Sequence, residues 1–319
     1  MKKLIKNLLL SVGLCVGLVT TTYANDPPKA PFKIIVAVPA GSGPDKVVRE
    51  YAEELSALWK VQVNVDNRPG GNGIVAVNAH QADKENSIVL ITIDNYLSYP
   101  YLTKNTAVID RLLPLSFDGL SELVLFSSPK YENFTQLQDA IKKKSTFGSW
   151  SIGSPPQLAG LELSSSLGAV PVHTPYVQYS NWFVDVAAQH ITFSFATFGS
   201  TKELEKGGKI KYHAVLSDRR MSEYPDLPTL KELTGKDAVG YHTAWVGFFI
   251  DRSVASSRAS TIQRDLINVY NTSAKVKTVR SFLSYKTYPD LTTDKATKFM
   301  QSEKSRIQRS IDNFKLEIK

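Results

Sequence analysis

Apolar residues along this chain follow two spacings, one typical of strands and the other typical of helices. Residues 34–38 form a continuous apolar run and residues 61–65 alternate apolar with polar side chains, so both are predicted strands. Between them, a helical apolar face consists of Val47, Val48, Tyr51, Ala52, Leu55 and Leu58. Strand-like and helix-like segments alternate from residue 32 onward, which predicts an α/β fold with mostly parallel sheets.

The strand–turn–helix pattern starts again near residue 118. A strand is predicted over residues 120–127, helices over 135–144 and 155–167, and a buried strand over 241–250. Because the chain would cross twice between two lobes, we expect a mixed sheet flanked by helices in each lobe and a ligand cleft between them. The predicted division is a leader over 1–24, a first lobe over 25–120 plus 249–319, and a second lobe over 121–248.

The turn after the first predicted strand, Gly41-Ser42-Gly43-Pro44-Asp45, leads directly into a helix. Amides in the first turn of a helix lack an intrahelical acceptor, and the helix dipole favours an anion beside them. A dinucleotide fingerprint would need a third glycine where Lys46 stands, and no phosphate-loop sequence occurs. The turn is therefore a candidate receptor for a carboxylate, with the alternative that its glycines only shape the chain.

A second turn, over residues 147–156, is rich in glycine and serine. Its centre loosely resembles a nucleophile elbow with Ser151 as nucleophile, and Asp185 with a histidine could complete a triad. The first glycine of that motif is absent, so a secreted serine hydrolase using Ser151 is the alternative interpretation. The preferred interpretation is a receptor turn that presents amides and hydroxyls to the anionic end of a ligand, without enzymatic activity.

Composition excludes several classes of function. The five histidines occur at no spacing typical of metal ligands, and no cofactor is expected. The formal charge is +8 and becomes +5 without Lys2, Lys3 and Lys6 of the leader. Because the basic residues form no stripe and no nucleic-acid motif occurs, no nucleic-acid partner is expected.

The first residues have the features of a secretory signal peptide: a basic start, a short apolar run over residues 8–19, and Ala24 before the predicted cleavage. Cys15 is the single cysteine and lies within this run, after the bulky Leu14, so lipid anchoring is not expected. The rest of the chain has no thiol, which excludes disulfides and a cysteine nucleophile there. We expect a soluble, exported protein that is monomeric.

Seven motifs follow one another in order after the leader. They are Val38 to Asp45, Val65-Asp66-Asn67-Arg68-Pro69-Gly70, the block from Phe147 to Glu162, His173-Thr174-Pro175-Tyr176, Asp185, Leu227 to Glu232, and Trp245-Val246-Gly247. Together they resemble the tripartite tricarboxylate transporter substrate-binding proteins, also called the Bug receptor family. The resemblance spans nearly the whole chain after the leader.

This resemblance implies a two-lobed periplasmic binding protein of the second type that closes on its ligand by a hinge. Because family members mostly bind small carboxylates, the implied partners are a small anionic organic ligand and the permease subunits of a tripartite tricarboxylate-type transporter, or a sensor. A degenerate receptor that acts as an envelope sensor or interaction module is a further alternative. The ligand-binding positions implied by the motifs are Ser42, Gly43, Asp45, Ser149, Ser151, Ile152, Gly153, Ser154, Tyr176 and Asp185.

The chain departs from the family pattern after Tyr176, where bulky residues stand in place of glycines and other small residues. Tyr179 and Trp182 belong to this segment and complete the predicted ligand-binding set. Because large aromatic side chains in a binding loop narrow a cleft, we expect these two residues to decide which carboxylate is bound.

Overall fold

The computed structural model describes residues 26–92, 94–105, 107–176, 178–235, 239, 242–286 and 293–317. The predicted leader and Cys15 lie outside the described residues. The strands are β1 (Phe32–Val36), β2 (Val63–Asn67), β3 (Ser87–Thr92), β4 (Leu112–Ser127), β5 (Ser145–Ser149), β6 (Pro171–Pro175), β7 (Phe193–Thr197), β8 (Lys211–Leu216) and β9 (Thr243–Asp251). The helices are α1 (Gly43–Trp59), α2 (Ile74–Ala82), α3 (Tyr99–Leu102), α4 (Ala107–Asp110), α5 (Phe134–Lys143), α6 (Pro155–Ser166), α7 (Tyr179–Ala187), α8 (Phe198–Lys206), α9 (Leu230–Thr234), α10 (Ser256–Thr272), α11 (Ala274–Phe282) and α12 (Thr293–Phe314).

The described strands form one curled, mixed sheet with two halves. Their order is β2-β1-β3-β9-β4-β7-β5-β6, and β8 also pairs with β4. Strand β4 joins the halves, because it pairs with β9 over residues 112–122 and with β7 and β8 over residues 123–127. The first lobe contains β1, β2, β3 and β9, and the second lobe contains β5 to β8. The two-lobed α/β architecture is thereby confirmed, whereas the predicted residue limits of the lobes stay a prediction.

Helix α1 covers one face of the first lobe. Val47, Tyr51 and Leu55 are buried in the same apolar cluster as Phe32 of β1. Burying a side chain of this size stabilises a fold by about 1.5–3 kcal/mol, so this face fixes the helix against the sheet. The predicted apolar face is confirmed except at Leu58, which is 47% exposed. The next residue, Trp59, takes its place and packs edge-on against Phe32.

Two elements of the second half differ from the sequence prediction. Strand β4 begins at Leu112 rather than near residue 120. Two register shifts interrupt its pairing with β9 and break the alternation of its side chains, so the apolar pattern did not indicate its first half. Helix α8 was not predicted, and the sheet contains more antiparallel pairs than the alternating pattern indicated. Among the described helices, none has a stretch both long and apolar enough to span a bilayer.

Candidate functional site

A cavity of about 440 Å³ lies between the two lobes, where α1 and α8 begin. The first lobe contributes the turn before α1, the end of β3, the residues just after α11, and the first part of β9. The second lobe contributes Trp150 and the start of α8. Its volume falls in the range of small-molecule sites, so this cavity is the candidate ligand site. The polar and glycine positions of its lining are Ser42, Gly43, Thr92, Gly119, Ser121, Thr197, Gly199 and Ser200.

The first glycine turn, which leads into the N-terminus of α1, forms one wall of this cavity. Ser42 is extended and stands at the cap position, and Gly41 has the positive φ of 81° that a glycine tolerates best. Pro44 lies in the first turn of α1 and has no amide to leave unpaired. The amides of Gly43 and Asp45 belong to the same turn, where no intrahelical carbonyl is available to them.

Asp45 stabilises this turn through its hydrogen bonds and is 1% exposed. Its carboxylate accepts hydrogen bonds from the Gly41 amide at 2.8 Å, from Arg49 Nε at 3.0 Å and from Asn67 Nδ2 at 2.9 Å. Burial alone would raise the pKa of Asp45, but the bonds from Arg49, Gly41 and Asn67 hold it below its ordinary value. Asp45 therefore shapes the turn as an ionised carboxylate and does not line the cavity.

Three buried donors on the cavity lining have no hydrogen-bond partner among the described residues. They are the hydroxyls of Ser42 and Ser121 and the indole Nε1–H of Trp245. Ser121 is 1% exposed and Trp245 is 2% exposed, so water does not satisfy them from bulk solvent. Because an unsatisfied buried donor costs about 1–3 kcal/mol, these groups are suited to a ligand acceptor.

Two hydroxyls of the second glycine turn are committed to its own backbone. Ser149 and Ser154 both donate to the carbonyl of Ser151, at 2.9 Å and 2.7 Å. The Gly153 amide donates to Oε1 of Gln157 at 2.5 Å. Helix α6 begins with two prolines, which removes two of the amides that a helix N-terminus normally offers. This turn therefore has fewer donors for a ligand than its sequence indicated.

His173 completes this internal network in its neutral form. Since the Ser149 hydroxyl donates to Ser151, the ring Nε2 at 2.7 Å must donate to Ser149. The other ring nitrogen, Nδ1, accepts from Nε2 of Gln157 at 3.1 Å. Burial lowers the pKa of His173 to about 4, in agreement with this neutral state. A general base must accept the nucleophile's proton, so His173 does not activate Ser149.

Ile152 and Gly153 place this turn against the first lobe. Ile152 packs against the apolar cluster that contains Trp245. A Cβ on Gly153 would lie 2.7 Å from Leu102 and 2.8 Å from Ser98. The tip of the second turn is thus seated on the α3 region, and Trp150 is the part of it that lines the cavity.

The aromatic segment after β6 lies behind the second turn. Trp182 is fully buried and donates through Nε1 to the Ser194 hydroxyl at 3.0 Å. Tyr176 donates to Asp185 at 2.6 Å, and this bond lowers the pKa of Asp185, with a further contribution from His190. None of these described side chains lines the cavity. Tyr179 begins α7, and its side chain lies outside the described part of the chain.

Of the predicted ligand-binding residues, Ser42 and Gly43 line the cavity. Asp45, Ser149, Gly153 and Ser154 support the two turns, whereas Trp182 belongs to the core of the second lobe. A ligand-binding role for the predicted set stays a prediction. Sequence reasoning missed several lining residues, namely Thr92, Ser121, Trp150, Thr197, Gly199, Ser200, Leu283 and Tyr285. One available signal was Thr197 to Ser200, a helix-capping pattern directly after a strand.

Residues 282–286, which we call the α11 strap, border the cavity through Leu283 and Tyr285 and contact both lobes. From the second lobe, Lys202 Nζ donates to the carbonyl of Phe282 at 2.7 Å. On the first lobe, the Lys286 amide donates to the Leu120 carbonyl at 2.9 Å, and its side chain pairs with Glu122. The strap therefore fixes Leu283 and Tyr285 over the cavity.

This architecture defines a class of protein: the two-lobed periplasmic binding proteins, which enclose a ligand between α/β lobes. The chain superposes on "Structure of periplasmic binding protein BugD" with a TM-score of 0.77 and 20% identity, over 91% of this chain and 99% of that one. It superposes on MatC from Rhodopseudomonas palustris, a structure with bound malate, with a TM-score of 0.76 and 16% identity, over 89% and 99% of the two chains. Both similarities establish the fold.

The family follows from the sequence. The chain belongs to the tripartite tricarboxylate transporter receptor family, TctC, whose sequence profile matches residues 47–316. It is 26% identical over 238 residues to a UPF0065 protein of Bordetella pertussis, covering 72% of this chain and 73% of the relative. It is also 24% identical over 244 residues to Protein BugT of the same organism, covering 71% and 73%. The resemblance inferred from the motifs is thereby confirmed.

Proposed function

We propose that this member of the TctC solute-binding proteins works in the periplasm, where it captures a small carboxylate-containing metabolite in the cavity between its lobes. It then delivers this ligand to the permease subunits of a tripartite tricarboxylate-type transporter. The observation that carries the proposal is the set of unpaired buried donors on three residues that line the cavity: Ser42 at the start of α1, Ser121 on β4 and Trp245 on β9. The malate in the MatC structure supports a carboxylate as the ligand class.

Neutral donors are sufficient for this ligand. A carboxylate has two oxygens that accept several hydrogen bonds, and the positive end of a helix dipole stabilises its charge by about 0.3–1 kcal/mol, or more when partly buried. Binding would also satisfy donors that are unpaired in the free protein, and each such pairing recovers part of a cost of about 1–3 kcal/mol. The site thus binds a carboxylate without a lysine or arginine.

Thermal unfolding with a panel of carboxylates tests the ligand class. Ligand at a hundred times its Kd stabilises a protein by about 2.7 kcal/mol, which is a readily measured rise in Tm. The panel would contain malate, adipate, benzoate, cyclohexanecarboxylate and glutamate, with glycerol and glucose as uncharged controls. Failure of every carboxylate to raise Tm would refute the proposed ligand class and favour a receptor that has lost its ligand.

A pair of serines on β4 tests the location of the site. Ser121 has an unpaired hydroxyl, so Ser121→Ala should weaken carboxylate binding about tenfold, which corresponds to about 1.4 kcal/mol, without lowering the Tm of the free protein. Ser127 is also buried, but its hydroxyl donates to Ser128 and contacts His213. Ser127→Ala should therefore lower Tm and leave the Kd unchanged. Equal Kd values in both variants would place the ligand elsewhere.

A further inference from the structure

We propose that this receptor selects carboxylates that have one charged end and an apolar body, and that Tyr285 of the α11 strap determines this selection. The inference rests on the proposed function and narrows its ligand class. Three features of the cavity carry it: a single open helix N-terminus, the absence of a charged side chain from the described lining, and aromatic walls.

The open helix N-terminus belongs to α1. Ser42, at its cap position, carries one of the unpaired donors, the other two lie on residues that line the same cavity, and the carboxylate of Asp45 is turned away toward Arg49 and Asn67. The first-turn amides thus keep their free side toward the cavity. One carboxylate of a ligand would be bound at this end.

The helix N-terminus of α8 is occupied by the chain itself. Gly199, in the first turn of α8, contacts the carbonyl oxygen of Leu283 so closely that a Cβ at this position would overlap it. Thr197 and Ser200 are hydrogen-bonded to each other, at 2.9 Å between their hydroxyl oxygens. A backbone carbonyl of the strap therefore lies where a second carboxylate would have to approach, and its partial negative charge would repel that group.

The rest of the lining offers nothing that would compensate a second negative charge. None of the described lining residues is a lysine, arginine or histidine. The larger side chains are Trp150, Trp245, Leu283 and Tyr285, which present aromatic and aliphatic surface. A carboxylate moved from water to such a surface loses its hydration without gaining a partner, whereas an apolar body is favoured there.

Tyr285 lies between β4 and the start of α1. Its ring lies directly on Gly119 of β4, where a Cβ would overlap the ring atoms. Its hydroxyl oxygen lies 3.7 Å from the position that a Cβ on Gly43 would take, at the start of α1. The ring is therefore placed over the body of a ligand whose carboxylate is bound at α1, and it limits the length and thickness of that body.

Titration calorimetry of the full chain with benzoate, cyclohexanecarboxylate, malate and adipate tests the inference. Both monocarboxylates should bind the unchanged protein at least about tenfold more tightly than malate, because a second charge has no partner in the site. Tyr285→Ala should reduce this ratio by about tenfold, since it removes the aromatic wall. Tyr285→Phe keeps the ring and should keep the ratio. Tyr101→Ala, in a separate groove between α3 and α12, is the matched control and should change neither ratio nor Kd.

Each of the other possible results contradicts one part of the inference. Malate binding as tightly as benzoate would refute the selection for one charged end while leaving the proposed function intact. A preference for benzoate that Tyr285→Ala does not alter would refute the role of Tyr285, provided that Tm shows the variant to be folded. Loss of the preference in Tyr285→Phe would assign it to the hydroxyl instead of the ring. If none of the four acids binds, the proposed function fails together with the inference.

Discussion

The substitution Asp45→Asn tests how the first turn is held. Both carboxylate oxygens of Asp45 accept hydrogen bonds: Oδ2 from the Gly41 amide and Arg49 Nε, and Oδ1 from Arg49 Nη2 and Asn67 Nδ2. Asparagine has one acceptor oxygen, and its amide group would face two donors at the other position. The variant therefore loses two bonds to Oδ1 and weakens the remaining ion-assisted pair.

The expected loss of stability follows from this count. A hydrogen bond to a charged group contributes about 1.5–3 kcal/mol, but Arg49 has a side chain that is 52% exposed and can turn to water. We therefore expect Asp45→Asn to lower the free energy of unfolding by about 2–3 kcal/mol, mainly through the lost bond from Asn67 and the weakened bond from the Gly41 amide. Because the turn at Gly41 belongs to the carboxylate site that we propose, the Kd for a bound carboxylate should rise by about tenfold as well.

Urea unfolding at pH 7, followed by tryptophan fluorescence, measures the first effect, and calorimetry measures the second. Asp185→Asn is the matched control, because this carboxylate also accepts two side-chain bonds but lies 32% exposed on the second lobe. It should lower stability by less than about 1 kcal/mol and leave the Kd unchanged. Equal losses in the two variants, or an unchanged Kd in Asp45→Asn, would refute the role of Asp45 as the brace of this turn.

Three further predictions concern buried groups. Burial lowers the pKa of His80 from 6.5 to about 4, so below pH 6.5 the unfolded chain binds a proton that the folded chain excludes. Stability should fall by on the order of 3 kcal/mol from this group as the pH drops toward 4, and urea midpoints of His80→Gln should show a weaker pH dependence. Trp182→Phe removes the bond to Ser194 and should lower Tm with a loss of about 1–3 kcal/mol; an altered Kd would instead assign Trp182 to the ligand site. Gly119→Ala displaces the Tyr285 ring and should reduce the benzoate-to-malate preference in calorimetry as Tyr285→Ala does.

The start of α1 could be predicted because its signals are local. The order Gly41-Ser42-Gly43-Pro44-Asp45 combines a left-handed glycine, a cap position and a first-turn proline, and these act within a few residues of chain. The helical face that follows is set by the same short-range spacing. By contrast, the register shifts in β4 depend on its pairing with β9, which is more than a hundred residues away in the chain, so the early part of that strand had no local signal.

The second turn shows why residue type alone does not identify a ligand contact. Its serines have the same chemistry as Ser42 and Ser121, but the hydroxyls of Ser149 and Ser154 donate hydrogen bonds to the carbonyl of Ser151. Trp182 had the expected chemistry too, yet its helix turns it toward Ser194 and the core of the second lobe. Which partner a hydroxyl or an indole finds is decided by tertiary contacts, so the predicted set mixed lining residues with supporting ones.

Tyr285 could not have been found from the sequence, because its position depends on two distant segments. The strap reaches β4 through the Lys286 amide and is reached from α8 by Lys202. The Tyr285 ring fits against β4 because residue 119 is a glycine, which has no side chain to overlap the ring. These contacts make the two helix N-termini unequal. At α1 the carboxylate of Asp45 points away from the cavity, whereas at α8 the carbonyl of Leu283 lies against Gly199 in the first turn of the helix. The asymmetry of the ligand that we propose is therefore a consequence of where the strap crosses the cleft.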